Sequence, residues 1–211
     1  MSNLPEHPIR YSRLGYAILQ VTDIDATAAF YEEAVGLQRE EGPDGQIWLR
    51  CSDKPYDLVL MQGSQAGLRG VGFELENAAE LDKAFAHIAA LGFAPVRCDQ
   101  QSCEAMRYAD GFTFANPDTG LAVAFYVDQE VASTPFRPTV AKIARLGHVV
   151  LNCRSYADAH RFWVEQLGFA ISDHVPGKIA FLRAWPNALH HTFALLEGPD
   201  DGLNHINFMV T

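Results

Sequence analysis

An internal repeat constrains this chain more tightly than any other feature of its sequence. Arg13-Leu14-Gly15-Tyr16 returns as Arg145-Leu146-Gly147-His148, an offset of 132 residues. The same offset places Phe30-Tyr31 on Phe162-Trp163, Gly36 on Gly168 and Ile47 on Ile179. After a three-residue insertion the offset becomes 135, aligning Leu60 with Leu195, Gly63 with Gly198, Leu68 with Leu203 and Phe73 with Phe208. A chance match does not hold register over about 60 residues. One structural unit has been used twice, so both copies must reach the same local fold.

Each copy reads as a strand, a helix and further strands. Leu14 to Val21 and Leu146 to Cys153 are apolar, β-rich runs. Helices follow, from Asp25 to Val35 and from a Ser155 cap that sets Ala159, Phe162, Trp163 and Leu167 on one face. Gly36 and Gly168 stop them. Strands are expected at Gln46 to Cys51 and Asp57 to Met61, matched by Lys178 to Arg183 and His191 to Leu196. A further unit starts at Val71. Its helix is opened by Asn77 and Glu80, carries Leu81, Ala84, Phe85, Ile88 and Leu91 at helical spacing, and ends at Gly92. Strands at Tyr108 to Phe114 and Leu121 to Val127 flank a turn at Asn116 to Gly120.

This pattern predicts an α+β fold of paired βαβββ modules. A two-module, metal-free domain is expected over residues 1–130, a proline-containing linker over 131–144, and the first part of a second domain over 145–211. Leu203 to Val210 reads as the first strand of a module whose remainder is missing, so the chain is expected to be a truncated form, the alternative being a natural short form. Tyr16, Tyr56, Gly70 and Ala124 are expected around a packed or ligand-free interior in the first domain.

Charge narrows the function classes. A net charge of -10 argues against binding duplex nucleic acid or an anionic membrane, which both favour a basic face. No apolar run reaches the roughly 20 residues of a membrane span, and the N-terminus lacks a signal-peptide core. Cys51, Cys98, Cys103 and Cys153 form no Cys-x-x-Cys pair and read as buried free thiols of a cytoplasmic protein.

The eight histidines separate by position. His7 lies in a polar tail, His87 and His160 fall off the apolar stripes of their helices, and His174 sits in a polar turn. His148, His190, His191 and His205 lie on or beside strands. The repeat aligns His148 with Tyr16, His191 with Tyr56 and His205 with Gly70, so one copy carries three imidazoles where the other has none. Each alone reads as a core histidine satisfied by a backbone group. Together, placed by the repeat, they point to convergence on a metal ion.

The βαβββ repeat, Leu146-Gly147-His148, His190-His191-Thr192-Phe193-Ala194-Leu195 and Leu203-Asn204-His205-Ile206-Asn207-Phe208 resemble the type I extradiol ring-cleavage dioxygenases of the vicinal oxygen chelate superfamily. The resemblance runs over essentially the whole chain. It implies that His148 and His205 are metal ligands and that His191 is the acid–base residue. The cofactor it implies is Fe(II), or Mn(II), and the substrates are a catechol-type aromatic and O2. It also implies a cytoplasmic homo-oligomer that binds neither nucleic acid nor membrane.

One departure qualifies the resemblance. The family's third ligand is a glutamate on the last strand of the second domain. The first-domain counterpart is near Ala124, and the offset carries it to about position 259, past Thr211. Of the carboxylates present, Glu197 has the strand parity to point with His191, but it aligns with Gln62 and reads as an edge residue. The 211-residue chain alone is therefore expected to bind Fe(II) weakly and turn over no catechol. Two other functions fit the superfamily. One is a metal-free protein that binds aromatic ligands or sequesters a drug; the other is a glyoxalase-like lyase or isomerase, against which the His190-His191-Thr192 run argues. Trp185, Phe181 and Leu182 are candidates for the pocket wall or for the core.

Overall fold

The computed structural model describes residues 7–211, which form two sheets in an α+β arrangement. The first holds β1 (Tyr11–Val21), β2 (Gln38–Glu41), β3 (Ile47–Arg50), β4 (Leu58–Gln62), β5 (Gly67–Leu75), β6 (Val96–Arg97), β7 (Tyr108–Ala115) and β8 (Ala122–Gln129), in spatial order β2-β3-β4-β1-β5-β8-β7-β6. The second holds β9 (Ile143–Cys153), β10 (Ala170–Val175), β11 (Ile179–Arg183), β12 (Phe193–Glu197) and β13 (Gly202–Val210), in order β10-β11-β12-β9-β13. Helices α1 (Ile24–Phe30), α2 (Ala78–Ala90), α3 (Gln100–Ala105) and α4 (Tyr156–His160) complete the modules. Residues 130–142 carry no helix or strand. No helix among the described residues is long and apolar enough to cross a membrane.

The repeat persists down to single hydrogen-bonded pairs. Ala17 faces Leu58 across the parallel β1–β4 ladder, and its image Val149 faces Phe193 across β9–β12. Ile18 faces Gly70 across the antiparallel β1–β5 ladder, and Val150 faces His205 across β9–β13. Both antiparallel ladders slip by one residue at Gly15 and at Gly147, placing Tyr16 opposite Gly72 and His148 opposite Asn207. At both slips the neighbouring side chains leave no room for a Cβ. A Cβ on Gly15 would fall on the Tyr126 hydroxyl, and one on Gly147 would lie 2.5 Å from Asn207 Oδ1.

Both repeat helices begin with a side-chain cap, Asp23 accepting from Ala26 N–H and Ser155 from Asp158 N–H. Each then widens into a π-helical turn, at Tyr31–Val35 and Arg161–Gln166, and closes on left-handed Gly36 or Gly168. The continuous helix read from periodicity therefore changes pitch midway. In the second copy the widening accompanies burial of two consecutive aromatics, Phe162 and Trp163.

Several sequence expectations need correction. His174 lies in the edge strand β10, not in a turn. That strand is mostly exposed, and β2 is wholly polar in sequence, so neither shows the alternation that marks a half-buried strand. His87 does not face solvent: its Nε2 lies 2.7 Å from the Gln166 carbonyl, joining α2 to the second copy's helix. His7 is likewise docked, with Nδ1 2.8 Å from the Gly168 carbonyl and its ring stacked on Trp185. Strand β12 starts at Phe193, two residues after His191.

One hydrophobic core spans both sheets. Phe73 of β5 is fully buried among rings of both copies, 5.7 Å between centroids from Tyr11, 5.2 Å from Phe169, 6.2 Å from Trp163 and 6.1 Å from Phe193. Tyr11 adds a hydrogen bond, its hydroxyl donating to the Leu167 carbonyl at 2.6 Å. Phe73→Ala is expected to cost about 3–5 kcal/mol in urea unfolding. Circular dichroism should show both sheets destabilised in one transition, and a loss confined to residues before 130 would contradict the shared core.

Candidate active site

Strand β9 lies between β12 and β13, so residues 148, 191 and 205 meet although far apart in sequence. His148 and His205 sit on neighbouring strands, displaced by two residue pairs and so on the same face. Their Nε2 atoms are 3.1 Å apart. Asn204 fixes the second ring: its Nδ2 donates to Asn152 Oδ1 at 2.8 Å, which turns its Oδ1 toward His205 Nδ1 at 2.7 Å. With the proton on Nδ1, the His205 Nε2 lone pair faces His148.

His191 closes the third side. It precedes β12, but the next residue is already locked into the sheet, with Thr192 N–H donating to Leu182 and Val149 N–H donating to Thr192. The His191 ring lies 4.4 Å from that of His148, centroid to centroid, and its Nδ1 is 3.0 Å from His190 Nδ1. The Phe181 edge packs on it at 5.0 Å, whereas Leu182 is fully buried in the core and Trp185 stacks on His7 and Arg183. Of the three candidate wall residues, Phe181 alone borders the histidines. Glu197 pairs with Lys178 at 3.0 Å. Asn204 is the contributor that sequence reasoning missed; its signal was an amide adjoining a histidine ligand candidate.

The donor set fits a divalent transition metal. Two nitrogens 3.1 Å apart match two bonds of about 2.1 Å meeting near a right angle. Two lone pairs facing each other at that distance repel unless a proton or cation lies between them. Among the described residues, no group of three His, Cys, Asp or Glu side chains is arranged to hold a metal ion. His148 and His205 thus bring two nitrogens together, short of a three-ligand cluster.

In the matching place the first copy is built differently. Tyr16 and Tyr56 stand 5.1 Å apart in edge-to-face contact, with Trp48, Tyr108 and Tyr126 packed around them. Aromatic rings fill that interior in part, and a cavity remains beside Tyr16.

Burial, and then the neighbouring His191 and His205, push the His148 imidazole from its usual 6.5 down to about 4. Burial and His190 lower His191 as well. A histidine whose folded pKa lies below its unfolded value stabilises the fold above about pH 6.5 and loses that contribution as pH falls toward 4. In the metal-free chain, NMR should show the His148 ring titrating near 4, with stability declining between pH 6.5 and 4. A midpoint near 6.5 would contradict this environment.

Known proteins share this fold and sequence pattern. The chain is 28% identical over 211 residues to an iron-dependent extradiol dioxygenase of Rhodococcus jostii (strain RHA1), covering 92% of this chain and 70% of that protein. It is 26% identical over 200 residues to a biphenyl-2,3-diol 1,2-dioxygenase of Pseudomonas sp. (strain KKS102), covering 89% of this chain and 68% of that protein. Among solved structures, BphC, a halotolerant catechol dioxygenase, superposes with a TM-score of 0.86 at 24% identity, over 95% of this chain and 70% of that one. A Mn(II)-bound glyoxalase from Novosphingobium aromaticivorans superposes at 0.78 with 25% identity, over 94% of this chain and 65% of that one. The chain thus spans about two thirds of the length of these proteins. The sequence model of one superfamily matches residues 13–125 and 145–211, most of the chain. The chain belongs to the Glyoxalase/Bleomycin resistance protein/Dioxygenase superfamily.

Proposed function

We propose that this chain forms part of an Fe(II)-dependent extradiol dioxygenase that opens the ring of a catechol-type aromatic with O2. The observation that carries the reading is the His148–His205 nitrogen pair, with His191 against it. It is supported by relatives named as extradiol dioxygenases along most of the chain. Mn(II) is the alternative ion, as in the glyoxalase neighbour.

In this reading His148 and His205 hold the metal, and Asn204 keeps the His205 lone pair aimed at it. When bound, the ion would supply Lewis acidity toward a vicinal diol and a meeting point for the diol and O2. His191 does the proton chemistry. Burial keeps its ring neutral near pH 7, so it accepts a proton from a diol hydroxyl and returns one as the ring opens. Phe181 offers an aromatic edge beside it and limits water there. Both oxygen atoms of O2 enter the product, a muconic semialdehyde-type acid, so no external reductant is needed. A third ligand, the glutamate that the family uses, would fit on a strand beside β13, the place that β8 takes beside β5 in the first copy.

Metal binding and turnover are tested separately. His148→Ala or His205→Ala should weaken Fe(II) binding at least about tenfold in an anaerobic chelator competition. His191→Asn should retain the metal but lower kcat by about 10²–10⁴. Turnover is read as ring-fission colour and O2 uptake with catechol or 2,3-dihydroxybiphenyl. The assay compares this chain with a chimera continued past Thr211 by the corresponding segment of the Rhodococcus jostii relative. Activity in the chimera that depends on His148, His191 and His205 supports the reading. A chimera that binds Fe(II) at the pair and consumes no O2 with any vicinal diol overturns it.

A further inference from the structure

Five tyrosines of this chain are buried: Tyr11, Tyr16, Tyr56, Tyr108 and Tyr126. Four of their hydroxyls have partners. Tyr11 donates to the Leu167 carbonyl and Tyr56 to the Met106 carbonyl, each at 2.6 Å. Tyr108 meets Cys98 Sγ at 3.3 Å, and Tyr126 donates to Gln129 Oε1 at 3.4 Å. Tyr16 is 2% exposed, yet its hydroxyl has no hydrogen-bond partner among the described residues. Its oxygen is not among the fully buried polar atoms that lack a partner, so it opens onto accessible space instead of being sealed in the core.

Tyr16 borders a cavity of about 430 Å³ in the first sheet. Small residues keep that space open. Gly70 stands where the second copy has His205, and Ala122 and Ala124 of β8 line the adjoining wall. A Cβ on Gly70 would already lie 3.2 Å from the Ala122 carbonyl oxygen. Ile18, Met106 and the Tyr108 ring supply apolar and aromatic surface. The two charged groups at the rim are occupied: Arg97 pairs with Asp110 at 2.6 Å and with Asp82, while Asp99 caps α3 by accepting from Ser102 N–H at 2.8 Å. The cavity therefore has largely apolar walls, paired charges at its rim, and Tyr16, Ser102 and Thr113 as its hydroxyl-bearing residues.

We propose that this cavity is a second, metal-independent binding site for a small neutral aromatic molecule carrying a hydrogen-bond-accepting oxygen on or next to its ring, with Tyr16 donating to that oxygen. The volume suits a one-ring ligand. Burial raises the Tyr16 phenol well above its usual 10, which keeps the donor proton in place at any physiological pH. A charged ligand would find no counter-ion here and would lose its hydration. The site stands apart from the histidines: it lies on the first sheet and uses none of them. Its occupant need not be a diol, and its existence does not depend on the dioxygenase reading.

Acetophenone is the probe, because its carbonyl accepts a hydrogen bond and it cannot chelate a metal. The full metal-free chain is titrated while the methyl NMR signals of Ile18, Met106, Ala122 and Ala124 are followed. Saturable one-to-one shifts confined to these residues are expected. Tyr16→Phe, which keeps the ring, should weaken binding about three- to tenfold. Ala122→Leu, at an exposed position on the cavity wall, should abolish it while leaving thermal unfolding unchanged. His148→Ala and benzoate serve as controls: the variant should bind acetophenone as the parent does, and benzoate should not bind. Absence of saturable shifts overturns the proposal. So do shifts centred on His148 and His205, equal affinity in a folded Tyr16→Phe protein, or equal binding of benzoate.

Discussion

Strand β9 is hydrogen-bonded along both edges, parallel to β12 and antiparallel to β13, and the histidine site depends on that double pairing. No short segment of this chain could assemble it. His148, His191 and His205 lie on three chain segments separated by a helix and two further strands, and only the ladders bring their rings together. The slip at Gly147 sets which residue of β13 faces His148, so a backbone position without a side chain governs the spacing of two side chains that have one. A rigid sheet holds such spacing better than a loop does.

Duplication explains why one scaffold carries two different sets of inward-facing side chains. The registers of the two copies are the same pair by pair, while the residues facing inward have diverged. In the first copy, tyrosines stand at two of the three histidine places: Tyr56, which donates to a backbone carbonyl, aligns with His191, and Tyr16 with His148, while Gly70 aligns with His205. The pairing pattern of the backbone tolerates either filling, since ladder bonds do not depend on what the side chains do.

Much of this was legible in the sequence, for identifiable reasons. The repeat gave the module order and placed the three histidines, because register conserved over about 60 residues is a strong signal even where identity is low. The apolar strands and α2 were readable from periodicity and caps. Strands β2 and β10 were not, because polar edge strands lack alternation. The docking of His7 and His87 was hidden as well, since both bonds run to carbonyls of the distant second copy. Asn204 was visible as a letter but not as an orienting group, which needs Asn152 across the ladder to turn its amide.

The shared core around Phe73 has a consequence for how the chain is made. Its covering rings, Trp163, Phe169 and Phe193, are synthesised long after β5. At roughly 5–20 residues per second, the ribosome needs on the order of 6–24 s to travel from Phe73 to Phe193. Once β8 is made, the first sheet can close its ladders, but the side of Phe73 that the second-copy rings cover stays open until they arrive. A like-charged surface is the defence available to such an intermediate, and these 211 residues carry a net charge of -10. The acidity that argues against nucleic-acid binding thus also serves the half-made protein, keeping copies apart until the second sheet arrives.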